Sequence, residues 1–251
     1  MSFSFLFTGK EIMGRAVTIA ICGVQPRIGT TTQALQLVAY LQMMGYATAY
    51  VELANQGYIY QMRKLYRDIT VKDGGVYYGR LPLYSDTTYL GSPECYDYLV
   101  KDYGTMNDPG FNQVSFMEQD IQIICGGVKP NEIFYMQDLL KKGEYKAAKF
   151  IFSFVPPDQK EGILSLMSHR ANDTFFANYN PDPFAYDSIM NKTYRMIMGN
   201  YISGSILPVS SMRRKWYIHI PNPKKLGTGA VLTLIAIMVG TAFLLFAQVI
   251  R

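Results

Sequence analysis

Residues Gly23 to Thr32, GVQPRIGTTT, hold the groups best suited to chemistry in this chain. A turn rich in glycine and proline meets three consecutive hydroxyls, Thr30, Thr31 and Thr32, and one cation, Arg27. A loop that feeds a helix N-terminus suits an anion, because free backbone N–H groups point outward and the helix dipole favours negative charge there. The hydroxyls could touch phosphate or magnesium, and a guanidinium forks well onto phosphate. The phosphate-loop pattern GxxxxGK[ST] would place a lysine after its second glycine, where it reaches the β and γ phosphates. Here Gly29 is followed by Thr30. On the loop alone, a plain strand–helix turn capped by Thr30 is an equal alternative.

Other site chemistry finds less support. The three cysteines, Cys22, Cys95 and Cys125, are odd in number and form no CxxC pair, and His169 and His219 stand 50 residues apart. That excludes a disulfide scaffold or a zinc site, and the expectation is reduced, buried thiols. Glu118 with Asp120, and Asp182 with Asp187, are acidic pairs without a cleft to act in. No GxSxG, no HExxH and no internal repeat is present.

The elements that must position the loop are legible around it. Residues 16–22 (AVTIAIC) form a continuous apolar, β-branched run, the pattern of a buried parallel strand. Ala34, Leu37, Val38 and Leu41 follow at helical spacing within residues 31–44, and Gly45 is a stop. Residues 47–53 (ATAYVEL) read as a second strand, completing a βαβ unit. The tyrosine-rich stretch 58–93 contains Asp73-Gly74-Gly75, a hairpin turn between Ile69–Lys72 and residues 76–78. It reads as an inserted hairpin that contacts partners or as an edge ribbon covering the sheet.

The order of these signals over most of residues 15–200 resembles the MinD/ParA family, deviant-Walker P-loop ATPases with a doubly wound, mostly parallel α/β sheet. Family loops read KGGxGKT; in register with them this chain reads Gln25-Pro26-Arg27-Ile28-Gly29-Thr30-Thr31. Gln25 then stands at the signature lysine, Thr30 at the Walker lysine and Thr31 at the magnesium-binding threonine. Residues 96–104 (YDYLVKDYG) resemble the strand that ends in the family's switch II aspartate, which matches Asp102. Asp102 would coordinate metal or position water. Asp120 precedes the apolar run 121–125, a helix covers 133–140, and residues 149–155 resemble the strand carrying a base-contacting Asn, with Ser153 at about that place. A short strand at 175–179 and a helix at 189–198 close the domain. Glu52 and Asn55 stand where the family often has aspartates.

The resemblance implies nucleotide contacts from Arg27, Gly29, Thr30, Thr31 and Thr32, and magnesium at Thr31 and Asp102 if a magnesium nucleotide binds. ATP with Mg2+, or no cofactor, are the alternatives. Loss of both lysines removes charge that would offset the developing phosphoryl charge, so hydrolysis should be weak or absent. The family dimerises across its nucleotides, so a homodimer is a further expectation.

Charge completes the organisation. The net charge is +5, with 49% apolar and 17% charged residues, which excludes a disordered chain. Six of the 24 basic residues and none of the 19 acidic ones lie in 211–251, leaving 18 basic and 19 acidic residues in 1–210. The near-neutral body makes no strong case for nucleic acid, and the tyrosines recur at no fixed period. Residues 230–250 (AVLTLIAIMVGTAFLLFAQVI) carry no charge and suffice to span a bilayer. Arg213, Arg214, Lys215, Lys224 and Lys225 precede that span, with Trp216 among them, and only Arg251 follows. The positive-inside rule places the N-terminal domain in the cytoplasm, and the collar suits anionic lipid. MSFSFLF at the N-terminus is too short for a signal peptide.

The expected organisation is therefore a P-loop domain (1–210), a basic linker (211–229) and a transmembrane helix (230–250). The expected function is a single-pass scaffold or adaptor at a bacterial cell membrane that positions cytoplasmic or membrane protein partners. An ATP-binding switch with weak hydrolysis is one alternative. A structural subunit of a secretion or conjugation machine is another.

Overall fold

The computed structural model describes residues 15–72, 74–87 and 95–202. The predicted linker, the transmembrane helix and the basic collar lie outside the described residues. Among the described residues no helix is long and apolar enough to cross a membrane.

The chain opens with β1 (Val17–Gly23), α1 (Thr30–Met43) and β2 (Thr48–Glu52), the expected βαβ unit. Then come α2 (Tyr58–Leu65), β3 (Ile69–Lys72), β4 (Gly75–Tyr78), β5 (Leu81–Tyr84) and β6 (Tyr98–Thr105). The remainder is α3 (Gln113–Met117), β7 (Ile121–Gly126), α4 (Pro130–Lys142), β8 (Lys149–Phe152), α5 (Lys160–Met167), β9 (Thr174–Phe176) and α6 (Asn191–Met198).

Nine strands form one sheet in the order β3-β4-β5-β2-β6-β1-β7-β8-β9. From β5 to β9 every pairing is parallel. The order runs outward from β1 in both directions, as a doubly wound sheet requires. β1 and β7 are buried and largely aliphatic, and β6 is buried, because parallel strands carry helices on their faces.

α1 is buried on more of its circumference than its apolar spacing suggests. Leu35, Gln36 and Tyr40 are buried along with the expected Ala34, Leu37, Val38 and Leu41. The outer side is clasped by the C-terminal segment. Gln36 donates to the carbonyls of Pro183 and Ala185, both at 2.8 Å, and accepts from the Asp187 N–H at 3.0 Å. Gln33 accepts from the Tyr194 hydroxyl at 2.9 Å. These polar side chains are buried at low cost because each finds a partner.

The stretch expected to be an inserted hairpin or an edge ribbon contributes three strands at the edge of the sheet. β3 and β4 form the predicted antiparallel hairpin, and β5 then pairs antiparallel with β4 and parallel with β2. The hairpin therefore extends the edge of the sheet and does not cover its face. A second difference concerns the thiols: Cys22 and Cys125 are buried, but Cys95 is exposed.

Candidate functional site

The loop after β1 is fixed at its base by backbone. The Val24 N–H donates to the Cys125 carbonyl at 3.0 Å, and the Met106 N–H donates to the Gly23 carbonyl at 2.9 Å. Gly23 is needed for close approach. A Cβ there would lie 2.5 Å from Thr30 Oγ1 and 3.0 Å from the Gln25 carbonyl oxygen. Gly29, the N-cap residue of α1, has φ 89°, and Arg27 has φ 65°. A left-handed arginine is strained by roughly 1–2 kcal/mol, so the loop holds a backbone shape that glycine would adopt freely.

α1 starts with no side-chain cap, so its first-turn N–H groups face the cleft beyond the loop. That cleft has a volume of about 340 Å³ and is lined by Arg27, Gly29, Thr30, Thr31 and Thr32, the predicted set. Gln56, Tyr58, Gly104, Thr105 and Phe154 complete the lining.

Asp102 lies under the cleft on β6, opposite Glu52 on β2 and Ile21 on β1. It is 1% exposed. Thr31 Oγ1 donates to its Oδ2 at 2.6 Å, the Tyr50 hydroxyl donates to the same oxygen at 3.0 Å, and the Gly104 N–H donates to Oδ1 at 2.9 Å. Burial pushes the Asp102 carboxyl above the usual range, and these three donors oppose that push. The Thr31 proton is committed to Asp102. Its oxygen can therefore offer the cleft only lone pairs, which suits a cation better than a phosphate oxygen.

Ser153 supplies a second open valence. It is 4% exposed, and its Oγ has no hydrogen-bond partner. It stands across from Gly29, where a Cβ would lie 3.3 Å from that oxygen. A buried hydroxyl without a partner is costly, and a ligand group at the loop would relieve it. Phe154 follows with φ 60° and 52% exposure, its ring 6.0 Å from that of exposed Tyr179.

Known structures give this arrangement a context. No protein-family model matches the sequence, and no curated protein sequence matches it. Solved structures do. The MinC:MinD cell division protein complex of Aquifex aeolicus aligns over 76% of this chain and 99% of the matched chain, with TM-score 0.51 and 14% identity. MinD from the same organism aligns over 73% and 89%, with TM-score 0.51 and 16% identity. A plasmid partition protein from Borrelia burgdorferi B31 bound to AMPPNP aligns over 74% and 97%, with TM-score 0.52 and 14% identity. The chain has the MinD/ParA fold.

Within this MinD/ParA fold Thr30, which also lines the cleft, is 8% exposed, and its hydroxyl lies over Gly23. Glu52 is engaged elsewhere. Its carboxylate accepts from the Tyr58 and Ile59 N–H groups at 2.5 and 3.0 Å, closing the N-terminus of α2. Asn55 is not among the cleft residues.

Asp120 lies at the opposite strand ends. It accepts from the Thr18 N–H and hydroxyl at 2.8 and 2.9 Å and from Arg15 at 2.7 Å. Burial pushes its carboxyl up, but these donors outweigh that and hold it below the usual range. It ties β1 to β7 and takes no part in the cleft.

A cavity of about 390 Å³ lies beside α4 and β8, with His169 and Arg170 in its wall. Arg170 there donates to the carbonyls of Tyr145, Lys146 and Ala148 through its terminal nitrogens, while its buried Nε has no hydrogen-bond partner. The loop cleft, with its uncapped helix end and open hydroxyl, is the better site. Tyr50 and Gly23 are site residues that the sequence pattern did not single out. Only the register of β2 with β6 brings Tyr50 to Asp102.

Proposed function

We propose that this protein is a membrane-anchored MinD/ParA-like scaffold that holds a nucleotide with little or no hydrolysis. It positions cytoplasmic or membrane protein partners at the inner face of a bacterial cell membrane. The observation that carries the reading is the split at the start of α1. Thr31 and Asp102 remain paired under the cleft, while Thr30 stands where the phosphate-loop pattern would have a lysine.

In this reading the phosphates rest on the first-turn N–H groups of α1, and Arg27 reaches them from the loop. Thr31 and Asp102 fit magnesium, which would neutralise phosphate charge when bound. Tyr50 and Gly104 hold the Asp102 carboxylate in place. The chain has no ammonium at the loop to stabilise charge developing on a transferred phosphoryl group, so binding outlasts chemistry. A similar structure is described as a plasmid partition protein bound to AMPPNP, and another as a complex of MinD with MinC, which is consistent with nucleotide and partner binding on this fold. A permanent anchor at 230–250 would remove the need for membrane cycling driven by hydrolysis.

The test is equilibrium binding of ATP and ADP, with magnesium, to the full chain and to Arg27→Ala and Thr31→Ala. Saturable binding weakened in both variants supports the proposal, and no binding at millimolar nucleotide overturns it. Deleting residues 227–251 should release the protein from membranes; a truncated chain that still pellets with them contradicts the anchor. The second reading, an active switch, is favoured by Arg27 in the cleft wall and requires measurable turnover that is lost in Arg27→Ala.

A further inference from the structure

We infer that β3 is a self-complementary sheet edge, through which two copies of this chain pair antiparallel about a two-fold axis at Thr70. The pairing lies outside the cleft and does not depend on nucleotide. β3 is the terminal strand of the nine-stranded sheet and pairs only with β4 among the described residues. It is unusually open for an edge. Thr70, Val71 and Lys72 are all exposed, Val71 at 57%, and Ile69 is half-buried. The opposite edge, β9, is only three residues long, with Thr174 and Phe175 buried.

Backbone geometry narrows the register. Lys72 faces Gly75 across a two-residue turn, and Thr70 faces Tyr77. Residues flanking such a turn exchange hydrogen bonds, so Lys72 and Thr70 direct their backbone groups at β4. Ile69 and Val71 then direct theirs outward. A second β3 can use those groups in three ways: Ile69 against Ile69, Val71 against Val71, or Ile69 against Val71.

Charge selects the third. The sequence here reads Arg67-Asp68-Ile69-Thr70-Val71-Lys72-Asp73, whose charges invert when it is read backwards. With Ile69 opposite Val71, Asp68 of each copy meets Lys72 of the other, and Thr70 meets Thr70 on the axis. In the two other registers these charges do not face one another across the pair. Opposite charges directly across an antiparallel pair are favourable, and like charges unfavourable. Charged residues on an edge usually deter pairing with foreign strands. Here the same charges admit a reversed copy of their own segment and disfavour others, as an isologous contact requires.

Thr70 would form a pair without hydrogen bonds, whose Cα atoms approach to about 4.5 Å, within reach of a disulfide. The test uses the full chain with exposed Cys95 replaced, Cys95→Ser, and Cys22 and Cys125 left buried. Thr70→Cys in that background should cross-link to a dimer under mild oxidation. Val71→Cys should cross-link poorly, because Val71 faces Ile69. Asp68→Lys should weaken dimerisation about tenfold by analytical ultracentrifugation, since both pairs become repulsive. The double exchange Asp68→Lys with Lys72→Asp should restore it. All these positions are exposed, and an unchanged circular dichroism melt checks that the variants fold. A monomer with no Thr70 cross-link overturns the proposal, as does a double exchange that fails to rescue. Equal cross-linking at 70 and 71 also overturns it, and would assign the edge to another register or another occupant.

Discussion

The centre of the sheet and its β3 edge are built from opposite materials. At the centre, β1 and β6 carry buried aliphatic side chains, and the one carboxylate between β1 and β2, Asp102, is matched by three donors. At the edge, β3 is exposed at Thr70, Val71 and Lys72 and half-buried only at Ile69. A change at the centre must therefore act through stability and the cleft together. A change at the edge should act through association alone.

The largest effect is expected at Asp102. Asp102→Ala leaves the Tyr50 hydroxyl buried without its acceptor and frees Thr31 and Gly104, at a cost of about 3–5 kcal/mol by chemical denaturation. Asp102→Asn sharpens the same point through pH. Burial raises the carboxyls of Asp102 and Glu52 above their unfolded values. Their contribution to stability is then fully present below the unfolded pKa, near 4, and is lost as pH rises through the raised folded values. Removing one of the two groups should flatten the loss of melting temperature on that rise relative to the unmodified chain.

Gly23→Ala ranks next. The added methyl meets Thr30 Oγ1 and the Gln25 carbonyl, so about 1–3 kcal/mol should be lost, together with anion binding. Arg27→Gly separates the two properties. It should stabilise the fold by about 1 kcal/mol by removing the left-handed strain, while nucleotide affinity falls. Lower stability in Arg27→Gly would mean that the side chain holds the loop. The smallest effect belongs to the edge. Val71→Thr should shift stability by no more than about 0.5 kcal/mol, and a larger loss in thermal melts would show that β3 is packed after all.

The centre was readable in advance for the same reason that it is stable. Continuous apolar runs at 16–22 and 121–125 can be little other than buried strands, and β1 and β7 follow them closely. The loop and Asp102 came from their order along the chain. Elements missed were those held from a distance. α2 buries only Ile59 and Met62 and is closed by Glu52, six residues away, so no local periodicity or cap announces it. β5 contains Pro82, which argues against a strand, yet it pairs with β4 and β2. α3 and α5 are too short to show a clear period. The left-handed backbone of Arg27 is not a property of composition or spacing. It follows from how tightly the loop closes over β1 and β7.

Binding and turnover of ATP measured together on the full chain, with magnesium, test the central claim most directly. The account predicts saturable binding, weakened by Arg27→Ala, with turnover no faster than about 10⁻³ s⁻¹, the range of phosphate-loop proteins that lack a catalytic finger. No binding at millimolar ATP, or turnover near about 1 s⁻¹, the lower end of ordinary enzymes, would contradict it.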